Sequence, residues 1–355
     1  MVDQQLVDAI YKSYEDKNAQ EAERTYLGCS MMGGDCAAKV QYLHTHAAGD
    51  DFDGRMLRLF QTGHLEEPRF EDDLRAVGYQ VVTVGKDGKQ VAVGDESGHI
   101  KGHIDGVAKW KDGAWALLEM KTHSEKSFKI LEKSGMQESK PEHFGQMQLY
   151  MGYLKLEHGL YIAKNKNTDH LYIERVEFVP AAFDKLTARG ASILAGQEQP
   201  KNPSFKCNWC PAKTLCRPNG VEDQGDTKAV TLRSVSCRQC KYHKSASEGR
   251  EGCMKHGRAL SFSEVKAACD DHTLRPEYLT FAMIEDEDEN LYRNEVNNEV
   301  FTVGPGGWTT KMLMGVPVSA VGEYNEVQKI SETFRSTSIV VDGIDNEDEF
   351  DDIPF

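Results

Sequence analysis

Asp105, Glu119 and Lys121 are the residues of this chain whose types and spacing offer chemistry. The stretch HIKGHIDGVAKW (99–110), a Lys-Asp-Gly turn (111–113) and AWALLEMK (114–121) read as a β-hairpin with Asp105 near the end of its first arm. Side chains on a strand alternate, so Glu119 and Lys121 share one face while Leu118 and Met120 point the other way. Two carboxylates and one amine then converge. One Asp, one Glu and a backbone carbonyl suit a hard Mg²⁺ or Mn²⁺ ion, which takes oxygen ligands and keeps several waters. Such an ion polarises a phosphoryl oxygen and lowers the pKa of a bound water, and Lys121 could orient that water or stabilise the developing charge. The chemistry implied is hydrolysis of a phosphodiester. An Asp and a Glu-x-Lys also occur by chance on ordinary exposed hairpins, so the surrounding elements must carry the rest.

Those elements follow a definite order. A helical run PEHFGQMQLYMGYLKLEHG (141–159) places Gln146 and Tyr150 one turn apart, and LRLFQTGHLEEPRFEDDL (57–74) forms a helix upstream. Strands are expected near 79–84, 90–95, 99–107, 114–121, 160–164 and 170–178, with a helix near 180–196. This arrangement resembles the PD-(D/E)XK nuclease superfamily, in particular its RecB-like branch, whose members carry Gln-x-x-x-Tyr on the helix after the Glu-x-Lys strand. The resemblance implies an α/β fold over residues 1–220, a restriction-endonuclease-like mixed sheet flanked by helices. It makes Gln146 a residue that helps position the site, and Tyr150 one that packs beside it or contacts DNA. The family's first helix adds one acidic or imidazole group, for which Glu67, His64 and Glu66 are the candidates. The Pro of the nominal motif is absent here, with Ile104 standing before Asp105.

Cysteine usage makes a second argument. Cys207, Cys210 and Cys216 fall as C-x2-C-x5-C, with Cys36 far upstream in YLGCSMMGGDCAAKVQYL (26–43). Nothing suggests secretion, which favours metal ligation over a disulfide framework. One cysteine before the core and three after it resembles the iron–sulfur RecB-like nucleases, and implies a [4Fe–4S] cluster that ties the two ends of the core together. A four-cysteine Zn²⁺ site is the alternative, and Cys29 is a spare thiol near Cys36. A second knot lies in 237–275, where Cys237 and Cys240 form a C-x2-C knuckle and Cys253, His256, Cys269 and His272 offer further ligands. Cys237, Cys240, Cys253 and Cys269, with His256 as substitute, would fold this polar segment around Zn²⁺.

The chain ends DNEDEFDDIPF, and Asp351, Asp352, Ile353, Pro354 and Phe355 resemble closely the acidic tip of bacterial single-stranded-DNA-binding protein. That resemblance implies docking on host proteins that recognise this tip, with Phe355 as the anchor and the acids speeding encounter. The remaining organisation is a linker over 221–236, a small accessory region over 276–341 and an acidic tail over 342–355.

Composition agrees with a soluble enzyme of the bacterial host cytoplasm. No apolar run approaches membrane-spanning length, and the first residues lack the basic start and apolar centre of an export signal. A net charge of −15 is unusual for a DNA-binding protein, yet seven of those charges lie between Asp342 and Asp352, and without them −8 remains. Phosphate is expected at local cations, namely Lys121, Lys126, Lys129, Lys133, Lys164 and Lys166. The function expected is a metal-dependent DNA exonuclease or end-processing nuclease serving recombination or replication; YLGCSMMGGDC (26–36) and RMLRLFQTGHLEE (55–67) resemble segments of phage nucleases, which implies a phage-encoded enzyme working beside a phage recombinase. The alternative is a non-catalytic DNA-binding adaptor or inhibitor that competes with host single-stranded-DNA-binding protein for its clients.

Overall fold

The computed structural model describes residues 2–110, 113–217 and 227–323. Most of the Lys-Asp-Gly turn, residues 221–226 of the 221–236 linker and the acidic tail with Asp351, Asp352, Ile353, Pro354 and Phe355 lie outside the described residues. The chain opens with α1 (Gln4–Gln20), a short strand β1 (Leu27–Gly28), and helices α2 (Cys29–Met32) and α3 (Ala37–His44). Helix α4 (Gly54–Ala76) starts where the Asp53 carboxylate caps the Met56 amide at 2.7 Å, which satisfies a backbone donor that the first turn leaves free.

The central sheet has five strands in the order β2-β5-β6-β7-β8, namely Tyr79–Val82, Gly106–Trp110, Trp115–His123, His158–Asn165 and Leu171–Glu177. Pairing is antiparallel except between β6 and β7. A parallel pair needs a long crossover, and here it consists of α5 (Glu125–Ser139) and α6 (Pro141–Leu154). Strand alternation then sorts the two faces. Leu117, Tyr161 and Ala163 pack under α5 and α6 with Phe128, Leu131, Met147 and Tyr150. Leu118, Met120 and Ile162 face α4 through Phe70 and Leu74. Glu119 and Lys121 therefore lie on the α6 side of the sheet.

The strand expected over 99–107 is broken. Residues Ile100–His103 form β4, which pairs with β1 and β3 (Ala92–Gly94) in a separate three-stranded sheet, while Gly106 begins β5. Asp105 sits in the bend between them, at the start of a hairpin arm instead of near its end. The cause is a change of sheet: the Ile104 amide still donates to the Val91 carbonyl, just before β3, at 3.1 Å, and Gly106 already pairs with Leu118 of β6.

Beyond α7 (Pro180–Leu194), the second half of the chain wraps back onto the first. Helix α8 (Lys213–Cys216) precedes a three-stranded sheet of β9 (His243–Ser245), β10 (Glu251–Cys253) and β11 (Arg258–Leu260), followed by α9 (Phe262–Ala267). A further antiparallel sheet, β12 (Ala282–Asp286), β13 (Leu291–Asn294) and β14 (Val300–Thr302), ends in α10 (Thr310–Gly315). Strand β14 lies in NEVFTVG (298–304), and VPVSAV (316–321) holds a 3₁₀ turn, Val318–Ala320, beginning after Pro317. Tyr278, Phe281, Tyr292, Phe301 and Trp308 share one core with Tyr42 of α3 and with Ala212, Leu215 and Cys216. The accessory region is thus packed against the cysteine-bearing end of the nuclease-like half. The β9–β10 turn also grips the β3–β4 turn: Gly249 donates its amide to Ser97 O at 2.6 Å, and the His99 ring meets Ala246 O at 2.6 Å. Gly98 and Gly249, both at positive φ, make this approach possible, because a Cβ on either would stand 3.0 Å from the other's backbone.

Candidate functional site

Strand β6 positions the chemistry. It carries Glu119 and Lys121 on the face under α6, and the bend before β5 brings Asp105 beside them. Asp105 Oδ2 accepts the Met120 amide at 2.7 Å, which fixes its orientation, and lies 3.5 Å from Lys121 Nζ. Lys121 Nζ stands 2.5 Å from Glu119 Oε1 and donates to the Met120 carbonyl at 3.2 Å. The ammonium is therefore wedged between two carboxylates. Glu119 is fully buried, yet its Oε1 has no hydrogen-bond partner: Lys121 approaches as a charge, off the direction a hydrogen bond needs.

Helix α6 closes the site from above. Gln146 Nε2 donates to Glu119 Oε2 at 3.1 Å and to the Tyr150 hydroxyl at 3.4 Å, one helical turn on. Tyr150 in turn lies over β4, where Gly102 is required: a Cβ there would meet the Tyr150 ring and hydroxyl at 2.5 Å. Burial pushes the Glu119 carboxyl up, to about 7; the Lys121 ammonium opposes that rise, and the negative fields of Asp105 and Glu67 add to it. Burial pulls the Lys121 amine down, but Glu119 and Asp105 outweigh it and its net displacement is upward.

The three candidates on α4 separate by their partners. Glu66 is held by Lys164 at 2.6 Å, and Lys164 also binds Asp169 at 2.7 Å, which Arg69 grips at 2.8 Å. Glu67 is free of that network, takes a 3.0 Å contact from the exposed His64 ring, and is the α4 carboxylate whose field reaches Glu119. Helix register gives the two glutamates these different partners, which the sequence alone left open.

The cysteines gather in two groups. Cys36, at the N-cap of α3, lines one cavity with Cys207, Cys210 and Cys216, while Cys29 is buried elsewhere, in the core under α6. Burial raises the Cys216 thiol to about 11, with a further rise from the other three sulfurs. Cys237, Cys240, Cys253, His256, Cys269 and His272 line a second, small cavity, where the Cys269 sulfur and His256 Nε2 are 3.8 Å apart. His272 is committed elsewhere: its two nitrogens contact Thr310 Oγ1 and Ser236 O, each at 2.9 Å. Among the described residues, no group of three or more His, Cys, Asp or Glu side chains stands in a formed metal-binding arrangement. The donor types nonetheless fit the groups they would hold: carboxylate oxygens, one of them lacking a hydrogen bond, at Asp105 and Glu119 for a hard cation, and clustered sulfurs for a soft one. No helix among the described residues is long and apolar enough to cross a membrane.

Sequence reasoning missed His123, His143 and Tyr161, which extend the same face. His123 continues the two-residue period of Glu119 and Lys121 on β6, and His143 precedes Gln146 by three on α6. Those spacings were available as a signal. Tyr161 was not, because only the β6–β7 register sets it opposite Glu119.

The PD-(D/E)XK nuclease superfamily profile matches residues 34–217, more than half of the chain and a span that runs from just before Cys36 to just after Cys216. The chain belongs to that superfamily, and so to a class of nucleases that use divalent metals such as Mg²⁺. Among solved structures, the protein SSO0001 is 15% identical with a TM-score of 0.38, over 61% of this chain and 98% of that one. An alkaline exonuclease (LHK-Exo) from Laribacter hongkongensis is 16% identical with a TM-score of 0.36, over 48% of this chain and 86% of that one. The same exonuclease in complex with dAMP gives 15% identity and a TM-score of 0.35 over the same shares. No curated protein sequence matches the chain.

Proposed function

We propose that this protein is a divalent-metal-dependent deoxyribonuclease that processes DNA ends, with Asp105, Glu119 and Lys121 as its reacting centre. The observation that carries this is the placement of the Lys121 ammonium between the Asp105 and Glu119 carboxylates, with Gln146 holding the second oxygen of Glu119. Asp105, Glu119 and the Met120 carbonyl would hold Mg²⁺ or Mn²⁺, with Glu67 and His64 beside them. When bound, that ion supplies Lewis acidity toward a phosphoryl oxygen and a water acidic enough to attack. Lys121 neutralises charge that develops on the phosphate, and Gln146 and Tyr150 keep Glu119 in position. The test is digestion of end-labelled single- and double-stranded DNA with Mg²⁺ or Mn²⁺; an unreactive protein, or activity untouched by substitution of Asp105 and Lys121, would refute the reading.

Two metal sites beyond the reacting centre belong to this proposal. Cys36, Cys207, Cys210 and Cys216 are assigned a [4Fe–4S] cluster, on the grounds of their spacing and their shared cavity. Cys237, Cys240, Cys253 and Cys269, with His256 as substitute, are assigned Zn²⁺ on the same grounds. Protein purified without oxygen is expected to be brown, with about four irons and one zinc per chain. Colourless protein with two zincs would move zinc to the first site, and metal-free protein would remove both assignments.

The phage origin and the docking of Asp351, Asp352, Ile353, Pro354 and Phe355 on host repair and replication proteins rest on sequence resemblance alone. Deletion of Phe355 is expected to weaken binding to a host client at least tenfold, about 1.4 kcal/mol; unchanged affinity in a titration would end the idea.

A further inference from the structure

The sheet face that carries Glu119 and Lys121 does not end with them. Two residues on, His123 is buried at the end of β6, with Nε2 placed 2.8 Å from the Tyr161 hydroxyl. His143 Nδ1 reaches the same hydroxyl at 2.8 Å, and the two imidazoles stack with centroids 5.8 Å apart. A single phenolic proton serves only one of these contacts as donor, so one imidazole donates its N–H to the oxygen and the other accepts. This leaves His123 Nδ1 turned to Ser127 Oγ, at 3.4 Å. Lys140 Nζ donates to that same Ser127 hydroxyl at 2.9 Å, and the Lys166 amide donates to the His123 carbonyl at 2.8 Å.

The cations here lack the carboxylate partners of three nearby lysines. Lys121 has Glu119 and Asp105, Lys164 has Glu66 and Asp169, and Lys129 has Glu125 at 2.6 Å. Lys140 and Lys166 form no ion pair with a carboxylate among the described residues, although the chain carries a net charge of −15. Burial lowers both amines, no carboxylate raises either, and their charge is felt at His123 together with that of Lys121. Positive charge without a counter-ion, beside a hydroxyl and an imidazole, is a site for an anion with several acceptor oxygens.

We infer that His123, Ser127, Lys140 and Lys166 form a subsite for one further phosphate of the nucleic-acid strand, next to the phosphodiester at Lys121. The inference rests on the nuclease reading for the identity of the strand. It assigns the lysines to binding and not to the chemical step, since the ion pairs of Asp105 and Glu119 are with Lys121 and not with either of them. The ligand is a phosphate, either a terminal phosphomonoester or an internal phosphodiester.

The test compares wild type with a Lys140→Gln, Lys166→Gln double variant on single-stranded oligonucleotides bearing a 5′-phosphate or a 5′-hydroxyl. The expected result is a KM raised about tenfold with kcat within about twofold, and a salt slope of log(kcat/KM) shallower by about 0.7, the value for one phosphate on a single strand. A Lys140→Arg, Lys166→Arg variant is expected to restore the slope. Loss confined to the 5′-phosphorylated oligonucleotide identifies a terminal phosphomonoester, and equal loss on both identifies an internal phosphodiester; each supports the subsite. An unchanged KM and slope, or a fall in kcat alone, overturns it. Because Lys140 supports Ser127, Lys166→Gln alone is measured as well, with thermal unfolding to show that both variants fold. Fluorescence anisotropy without divalent metal separates this inference from the nuclease reading. Lysine-dependent binding without cleavage by wild type would refute only the latter, whereas cleavage with binding indifferent to the two lysines would refute only the subsite.

Discussion

Lys121→Met is expected to lower kcat/KM for DNA digestion by about 10²–10³-fold, and Asp105→Asn by at least as much. The first figure is what removal of one preorganised electrostatic group costs, about 3–4 kcal/mol of transition-state stabilisation. Lys121 suits this role because its side chain is 28% exposed while that of Glu119, with which it pairs, is fully buried, so the cation is held on a rigid base within reach of solvent. The two substitutions differ in their side effects. Lys121→Met leaves Glu119 and Asp105 close together without the cation between them, which raises the Glu119 carboxyl further and lowers stability. Asp105→Asn removes one negative charge, keeps an oxygen able to accept the Met120 amide, and relieves part of that rise. Initial rates on end-labelled DNA with Mg²⁺, beside thermal unfolding of each variant, measure both effects. Full activity in either variant would place the chemistry elsewhere.

Glu277→Gln is expected to stabilise the protein at pH 8 by up to about 3 kcal/mol and to leave stability at pH 4 nearly unchanged. Glu277 is 7% exposed in the core that joins α3 to the accessory region, where its Oε1 accepts from Gln41 Nε2 at 3.2 Å. Burial raises its carboxyl from 4.5 to about 7, Arg275 opposes the rise, and Glu198 adds to it. With a folded pKa above the unfolded one, the native state binds more protons between pH 4.5 and 7, so stability falls as pH rises through that window and levels off above it. Glutamine keeps an acceptor for Gln41 and carries no charge to desolvate, so the variant loses that falling limb. Denaturant unfolding from pH 4 to 8 checks it; parallel curves for wild type and variant would mean that Glu277 titrates as an ordinary exposed carboxylate.

Glu277 also shows where sequence reading stops. Nothing in RPEYLTF marks a glutamate as buried, because its burial comes from residues more than two hundred positions away. Contacts between adjacent elements were legible: the Glu119–Lys121 pair follows from strand alternation, and the Gln146–Tyr150 pair from helical periodicity. The strand break at Asp105 was not legible, since HIKGHIDGVAKW alternates smoothly through it and the change of partner strand is a tertiary event.

By itself, then, the sequence determined the donor types and their order along the chain: an acid on one hairpin arm, an acid and an amine two residues apart on the next, a Gln-x-x-x-Tyr helix after them, and cysteines at metal-ligand spacing. These are properties of near neighbours, and backbone period alone relates them. The tertiary structure decided that Glu66 is paired with Lys164, that His272 is held by hydrogen bonds, and that Tyr161 stands opposite Glu119. Such choices depend on helix rotation, strand register and which distant groups claim a side chain first, and short-range spacing carries no information on any of the three.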